Sequence, residues 1–327
     1  MKDIREWELS LADKIFIINN RLIEVVSSVE PHLDSMAKYT IEAGGKRVRP
    51  ILTLLSYSVA GNGGYEDAID LAVSNELVHT ASLIHDDVMD KSDLRRGRET
   101  LFHKYGIYNA IVVGDYLFTK GFELASQYGQ EVAKVLAWGA SKLAEGQVRE
   151  YFNMGNLEMS EDTYIRIISD KTANFFAACA KAAAMAGGAS KEIQQDMHNF
   201  AYQMGLAFQI TDDILDIVGD QSETGKPIFN DLKQSTITLP IIYALGRDGE
   251  GGGEFRKILT SNLPAEERNK RIKEALANTG ALDYSFERAK FHSEKSIEYL
   301  GKTGKSPSLD TLMDLSLLVI DRVSSAF

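Results

Sequence analysis

Two short acidic runs carry the first chemical signal: HDDVMD at 85–90 and TDDILD at 211–216, which share the pattern D-D-x-x-D. On a helix, Asp86 and Asp90 stand one turn apart on a common face, with Asp87 about 100° round from Asp86. Asp212, Asp213 and Asp216 repeat that arrangement. Each turn gathers three carboxylates against their mutual repulsion, amid apolar neighbours such as Leu83, Ile84, Ile210 and Ile214. A divalent cation relieves that repulsion, and an oxygen-only donor set favours Mg²⁺, which bridges carboxylates to a phosphorylated substrate. Aspartate is a poor mid-helix residue, so six of them need a reason beyond a solvated surface. Glu76 and His79 add the E-x-x-H spacing of di-iron bundles, but no second E-x-x-H follows, which leaves that chemistry unsupported.

Cations beside glycines form the second signal. Gly44-Gly45-Lys46-Arg47-Val48-Arg49-Pro50 sets three cations around a glycine turn, and Arg95-Arg96-Gly97-Arg98 follows the first acidic run. Lys171-Thr172 lies in SDKTANFF, and Gly225-Lys226-Pro227 follows the second run. Guanidinium forks match phosphate oxygens, and glycines let the backbone approach them. None of these segments has the P-loop or dinucleotide pattern, so the phosphates are not marked as a nucleotide's.

Helices must position these groups. No proline lies between Pro50 and Pro227, a stretch rich in Ala, Leu, Ile, Glu, Lys and Met, and apolar positions recur at three and four. The alternation of strands is missing, so the expected fold is all-α. Breaks are expected at Gly44-Gly45, Gly61 to Gly64, Gly187-Gly188, Gly219 to Asn230 and Gly249 to Gly253. The 327 residues read as one large domain over 1–327, with a catalytic helical core at 20–245 and a C-terminal helical portion at 254–327.

Composition narrows the function classes. Hydrophobic residues at 44% and charged residues at 25% exclude wholesale disorder. Lys plus Arg number 36 against 47 Asp plus Glu, and a net charge of −11 argues against a nucleic-acid partner. The single Cys179 excludes an internal disulfide and suggests a reducing, cytoplasmic setting. No run reaches the roughly 18 apolar residues of a membrane span, and the first ten residues lack a signal-peptide core.

Taken together, GGKRVRP, LVHTASLIHDDVMDKSDLRRGRET, ISDKTANFF, FQITDDILDIVGD and GKPIFNDLKQSTITLP resemble the all-trans polyprenyl diphosphate synthases, the chain-elongating isoprenoid family. The resemblance spans residues 40 to 245 and weakens in the C-terminal helices. It implies a bundle of mostly antiparallel helices around a deep central cavity, as a homodimer. It also implies Mg²⁺, about three ions per active site, held by Asp86, Asp87, Asp90, Asp212 and Asp216 against an allylic diphosphate. Arg95, Lys171 and Lys226 would add positive charge to that group, and Thr172, Gln209 and Asp213 would support it. Lys46, Arg49, His79 and Arg96 would clamp the diphosphate of isopentenyl diphosphate. The family usually has glycine where Phe229 stands and lysine where Thr236 stands, which removes one allylic diphosphate contact.

Product length is read from the residues before the first aspartate. Short-chain members tend to carry Phe or Tyr five residues ahead of it; this chain has Ala81, followed by Ser82, with Val78 one turn deeper. Ala177, Ala178, Ala182, Ala183 and Ala184 add further small side chains. The expected product is about C25 to C35, with geranylgeranyl diphosphate, at about C20, as the runner-up. A non-catalytic paralogue and a terpene cyclase are the competing functions; the intact second D-D-x-x-D and the GGKRVRP run argue against the cyclase.

Overall fold

A computed structural model describes residues 11–61, 64–219, 228–247 and 253–324. The proline-poor middle of the chain is helical, as its composition predicts. In order run α1 (Ala12–Val25), α2 (Pro31–Glu42), α3 (Val48–Val59), α4 (Ile69–Met89), α5 (Leu101–Ser126), α6 (Gln130–Tyr151), α7 (Glu161–Ile168) and α8 (Asn174–Ala186). Then come α9 (Lys191–Val218), α10 (Asn230–Lys233), α11 (Leu239–Arg247), α12 (Glu254–Leu259), α13 (Ala265–Asn278), α14 (Ala281–Leu300) and α15 (Pro307–Ser324). The one sheet among the described residues is a hairpin of β1 (Leu94–Arg95) and β2 (Arg98–Glu99). The expected breaks at Gly44-Gly45 and Gly187-Gly188 fall between helices. Residues 62–63, most of Gly219 to Asn230 and most of Gly249 to Gly253 lie outside the described residues.

The chain divides into two compact units. The first comprises Met1–Ser141, Phe176–Asn199 and Tyr299–Asp314, the second Lys142–Phe175, Phe200–Glu298 and Leu315–Phe327.

In the first unit, α4 lies along α5 and also meets α3 and α1. It is buried almost all round, from Leu71 to Ile84, so its polar residues must find partners inside. They do: Ser74 Oγ donates to Gly121 O at 2.7 Å, Asn75 Nδ2 to Thr53 Oγ1 at 2.8 Å, and Arg47 Nη1 to Glu76 Oε1 at 2.7 Å. Each neutral bond contributes about 1 kcal/mol and fixes the register of α4 against a neighbour. Local signals set the helix starts. Pro31 opens α2, where the Glu30 carboxylate accepts from His32 N, and Thr100 caps α5 by accepting from His103 N at 3.1 Å.

In the second unit, α9 presents Tyr202, Gln209 and Asp213 along one face, seven and then four residues apart, to α7 and the segment after it. That segment, Ser169–Ala173, is a turn of π-helix between α7 and α8. Single π turns inside α-helices concentrate at functional sites, and this one carries Lys171. Gly146 of α6 lets it settle, because a Cβ there would come within 2.3 Å of Lys171 N. Since that atom is backbone, relief requires moving a helix. Gly146→Ala is therefore expected to lower stability by about 1–3 kcal/mol in urea denaturation, whereas an exposed-helix glycine would gain from the same change. An unchanged midpoint would show that α6 and the π turn are not in tight contact.

Candidate active site

The first acidic turn closes α4. Asp86 and Asp87 sit in its last turn and Asp90 is its C-cap, with Asp87 5% exposed and the other two half-buried. Burying a carboxylate demands a counter-charge. Arg95 supplies it to Asp87, with Nε and Nη2 each 2.8 Å from Oδ1. Arg95 can reach back because β1 and β2 reverse the chain through Arg96-Gly97, whose φ values of 53° and 73° make a primed two-residue turn. Asparagine or aspartate suits the first of those positions, so an arginine held left-handed there is strained.

That turn aims Arg96 at the glycine loop. Its Nη1 donates to Gly44 O, and its guanidinium packs so closely on Gly45 that a Cβ would lie 2.7 Å from it. Arg49, 8% exposed, stacks on the Phe176 ring at 4.2 Å, and Lys46 is exposed on the loop. His79, two turns before Asp86, stands among these cations. Burial first, then Arg49, Arg96, Arg95 and Arg47, hold its pKa well below that of a free imidazole. A neutral imidazole among guanidiniums can donate a hydrogen bond without adding to their mutual repulsion. A small pocket is lined by Asp87, Arg95 and Arg96 together with Tyr39, Thr80 and Leu83.

The second acidic turn lies near the end of α9, and each carboxylate has its own partner. Asp212 Oδ1 is 2.7 Å from Arg322 Nη2, a residue of α15. Buried Asp213 accepts from Tyr164 Oη at 2.6 Å and from Gln209 Nε2 at 2.9 Å, and Gln209 Oε1 accepts from Thr172 Oγ1 at 2.8 Å. Burial raises the Asp213 carboxyl to about 7 despite those two donors. Asp216 accepts from Asn230 N and Asp231 N at 3.0 and 3.2 Å. That contact is shaped by Phe229, which stands at φ 58° and donates its N–H to Asp216 O at 2.7 Å. A left-handed backbone explains why glycine suits this position; here buried aromatic area offsets the strain. Lys171 pairs with Glu150, and the neighbouring Asp170 with Arg149. Lys226 lies outside the described residues.

A polyprenyl synthetase family model matches residues 30–278. The chain belongs to the polyprenyl synthetase family. The enzyme is 35% identical over 304 residues to the all-trans-nonaprenyl-diphosphate synthase (geranyl-diphosphate specific) of Rhodobacter capsulatus, with 92% of each chain covered. It is 34% identical over 324 residues to the geranylfarnesyl diphosphate synthase of Aeropyrum pernix, covering 94% of this chain and 99% of that one. The crystal structure of a polyprenyl synthase from Caulobacter crescentus, complexed with calcium and isoprenyl diphosphate, matches it with a TM-score of 0.89. That similarity comes with 31% identity over 96% of this chain and 97% of the other. The enzyme is thus an all-α prenyltransferase of the isoprenoid synthase fold, in a family that depends on a divalent metal.

Both acidic turns offer carboxylate oxygens, the donors a hard cation takes, so the chemistry of the donor set fits Mg²⁺. Among the described residues, no three His, Cys, Asp or Glu side chains already converge on one point. Magnesium commonly takes one or two carboxylates and completes its shell with water and substrate phosphate oxygens, which is compatible with that spacing. The E-x-x-H pair turns out otherwise: Glu76 is the buried partner of Arg47, not a metal ligand beside His79.

Sequence reasoning missed Glu150, Tyr164 and Arg322, each of which holds a neighbour of the expected site, and grouped Arg47 with the glycine-loop cations without its partner Glu76. Only Gly146, a glycine inside a strong helical pattern, left a local trace. The depressed His79 pKa makes stability depend on pH. The unfolded imidazole takes up a proton below 6.5 while the folded one stays neutral, so this group's stabilisation is full above 6.5 and is lost as pH falls. His79→Gln is expected to lose less melting temperature than the parent between about pH 7.5 and pH 5.5; equal losses would contradict the assignment.

Proposed function

We propose that the enzyme condenses isopentenyl diphosphate with an allylic diphosphate, in the presence of Mg²⁺, to give an all-trans polyprenyl diphosphate. The carrying observation is His79, kept neutral among Arg49, Arg95 and Arg96 directly below an acidic helix end. Lys46, Arg49, His79 and Arg96 hold the diphosphate of isopentenyl diphosphate. Asp86, Asp87, Asp90, Asp212 and Asp216 supply oxygens to Mg²⁺, three ions in the family's pattern, and Arg95, Lys171 and Lys226 add positive charge toward the allylic diphosphate. When bound, the metal offsets the negative charge that grows on the departing pyrophosphate. The cationic side chains do the same, and those held in place before the substrate arrives cost little reorganisation.

The allylic carbon–oxygen bond breaks and its electron pair leaves with pyrophosphate. The isopentenyl double bond then attacks the allylic carbon, a new carbon–carbon bond forms, and a proton passes to the released pyrophosphate. Clamping both substrates replaces a bimolecular encounter with an aligned one. Apolar walls must keep water from the cation.

Chain length follows from small side chains. Ala81 is fully buried and Val78 turns toward α5, where a Cβ on Gly121 would come within 2.9 Å of its Cγ2. Both features favour a product of about C25 to C35 over the short-chain range. A homodimer suits the exposed row Ile107, Tyr108, Ile111 and Val112 on α5. The test is incubation with labelled isopentenyl diphosphate, an allylic primer and Mg²⁺, with the products separated by chain length. A butanol-extractable polyprenyl product that vanishes with chelator is expected, and Ala81→Phe should shorten it by at least one five-carbon unit. No product from the protein alone would favour a non-catalytic paralogue, and an unshortened Ala81→Phe product would remove Ala81 as a determinant.

A further inference from the structure

Arg47 is the middle cation of GGKRVRP, and it does not face the pocket as Lys46 and Arg49 were expected to do. Its side chain is buried, and three of its donors are spent on three different helices. Nε donates to Asn19 Oδ1 of α1 at 2.9 Å, Nη1 to Glu76 Oε1 of α4 at 2.7 Å, and Nη2 to Ile41 O of α2 at 3.0 Å. The Arg47–Glu76 side chains are only 2% and 3% exposed. Arg47 also stands at φ 50°, the N-cap of α3, a left-handed conformation that arginine adopts at a cost.

Two features say what this strained, buried ion pair is for. The loop it anchors relies on glycine conformations: Gly44 and Gly45 have φ of 76° and 139°, and Arg96 packs closely on Gly45. Through Gly44 O the same loop fixes Arg96. Glu76, in turn, lies one helical turn before His79 on α4. One ion pair therefore ties the loop bearing Lys46, the first turn of α3 bearing Arg49, and the arginine resting on that loop to the helix bearing the imidazole. A buried pair of this kind adds little net stability over well-packed apolar residues, because desolvation opposes the attraction. Glu76 also places a negative charge beside the cluster of Arg47, Arg49, Arg95 and Arg96, which lets that many guanidiniums converge.

We propose that Arg47 and Glu76 are positioning residues: they hold Lys46, Arg49 and Arg96 in register with His79 so that the four can clamp one diphosphate. The inference rests on the reading that those four bind isopentenyl diphosphate.

The experiment measures kcat, both Michaelis constants and melting temperature for Arg47→Met/Glu76→Leu, Arg47→Lys, Glu76→Gln and, as a reference, Lys46→Ala. The paired apolar variant is expected to melt below the parent, since Asn19 Oδ1 and Ile41 O lose a donor, and to raise KM for isopentenyl diphosphate about tenfold or more, with KM for the allylic substrate unchanged. Arg47→Lys keeps the charge but loses the fork, so it should show the same split. A folded pair variant with the parental KM for isopentenyl diphosphate overturns the proposal, as does a fall in melting temperature with no change in that KM. Should the pair variant not fold, Glu76→Gln decides by the same criterion. If Lys46→Ala also leaves KM unmoved, the underlying diphosphate reading fails; if Lys46→Ala raises it and the Arg47 and Glu76 variants do not, only the positioning role fails.

Discussion

Like charges crowded onto half-buried helix turns are the constraint around which the rest of this protein is arranged. Two such charges a helical turn apart repel by about 3 kcal/mol at an effective dielectric of roughly 20, and each unit gathers more than two. The first unit answers by interleaving signs: Arg95 on Asp87, Arg47 on Glu76, and a neutral His79 in the middle of the guanidiniums. The second answers differently. Arg322 covers Asp212, backbone N–H groups cap Asp216, and Asp213 retreats from ionisation with its pKa raised to about 7. In both, pairings within the chain stand where a diphosphate and its cations are proposed to bind. Binding is then an exchange of partners with little new desolvation, which suits a site that must admit and release highly charged groups.

Strain accompanies that arrangement. Arg47, Arg96 and Phe229 all adopt left-handed backbone conformations without being glycine, and each lies within or against a segment bearing the proposed chemistry. At Arg96 the turn throws a guanidinium onto the glycine loop; at Phe229 it delivers two backbone donors to Asp216. The family's usual glycine at Phe229 would relax that backbone but surrender a buried ring, so the departure shifts the local balance and leaves the Asp216 contacts intact.

The helices, the acidic turns and the cationic loops were legible because each is written in local spacing. Asp86 and Asp87 fall in the last turn of α4, and Thr172 reaches Gln209, one turn before Asp213 of the second acidic run. What escaped is long-range. Nothing near Glu76 announces a partner 29 residues earlier, and with the E-x-x-H metal reading unsupported the sequence offers Glu76 no role. Nothing near Arg322 points to Asp212, since the two are joined only by the packing of α15 against α9. The RRGR run was read as phosphate-binding without its hairpin, because strands of two residues are too short to show alternation. Electrostatic roles depend on which charges the fold brings close, and period alone carries no such information.

The most direct measurement is a crystal structure with Mg²⁺ and a non-reactive isopentenyl thiodiphosphate. The account predicts diphosphate oxygens within hydrogen-bonding distance of Lys46, Arg49, His79 and Arg96. A diphosphate bound elsewhere, with those four side chains unengaged, would contradict it.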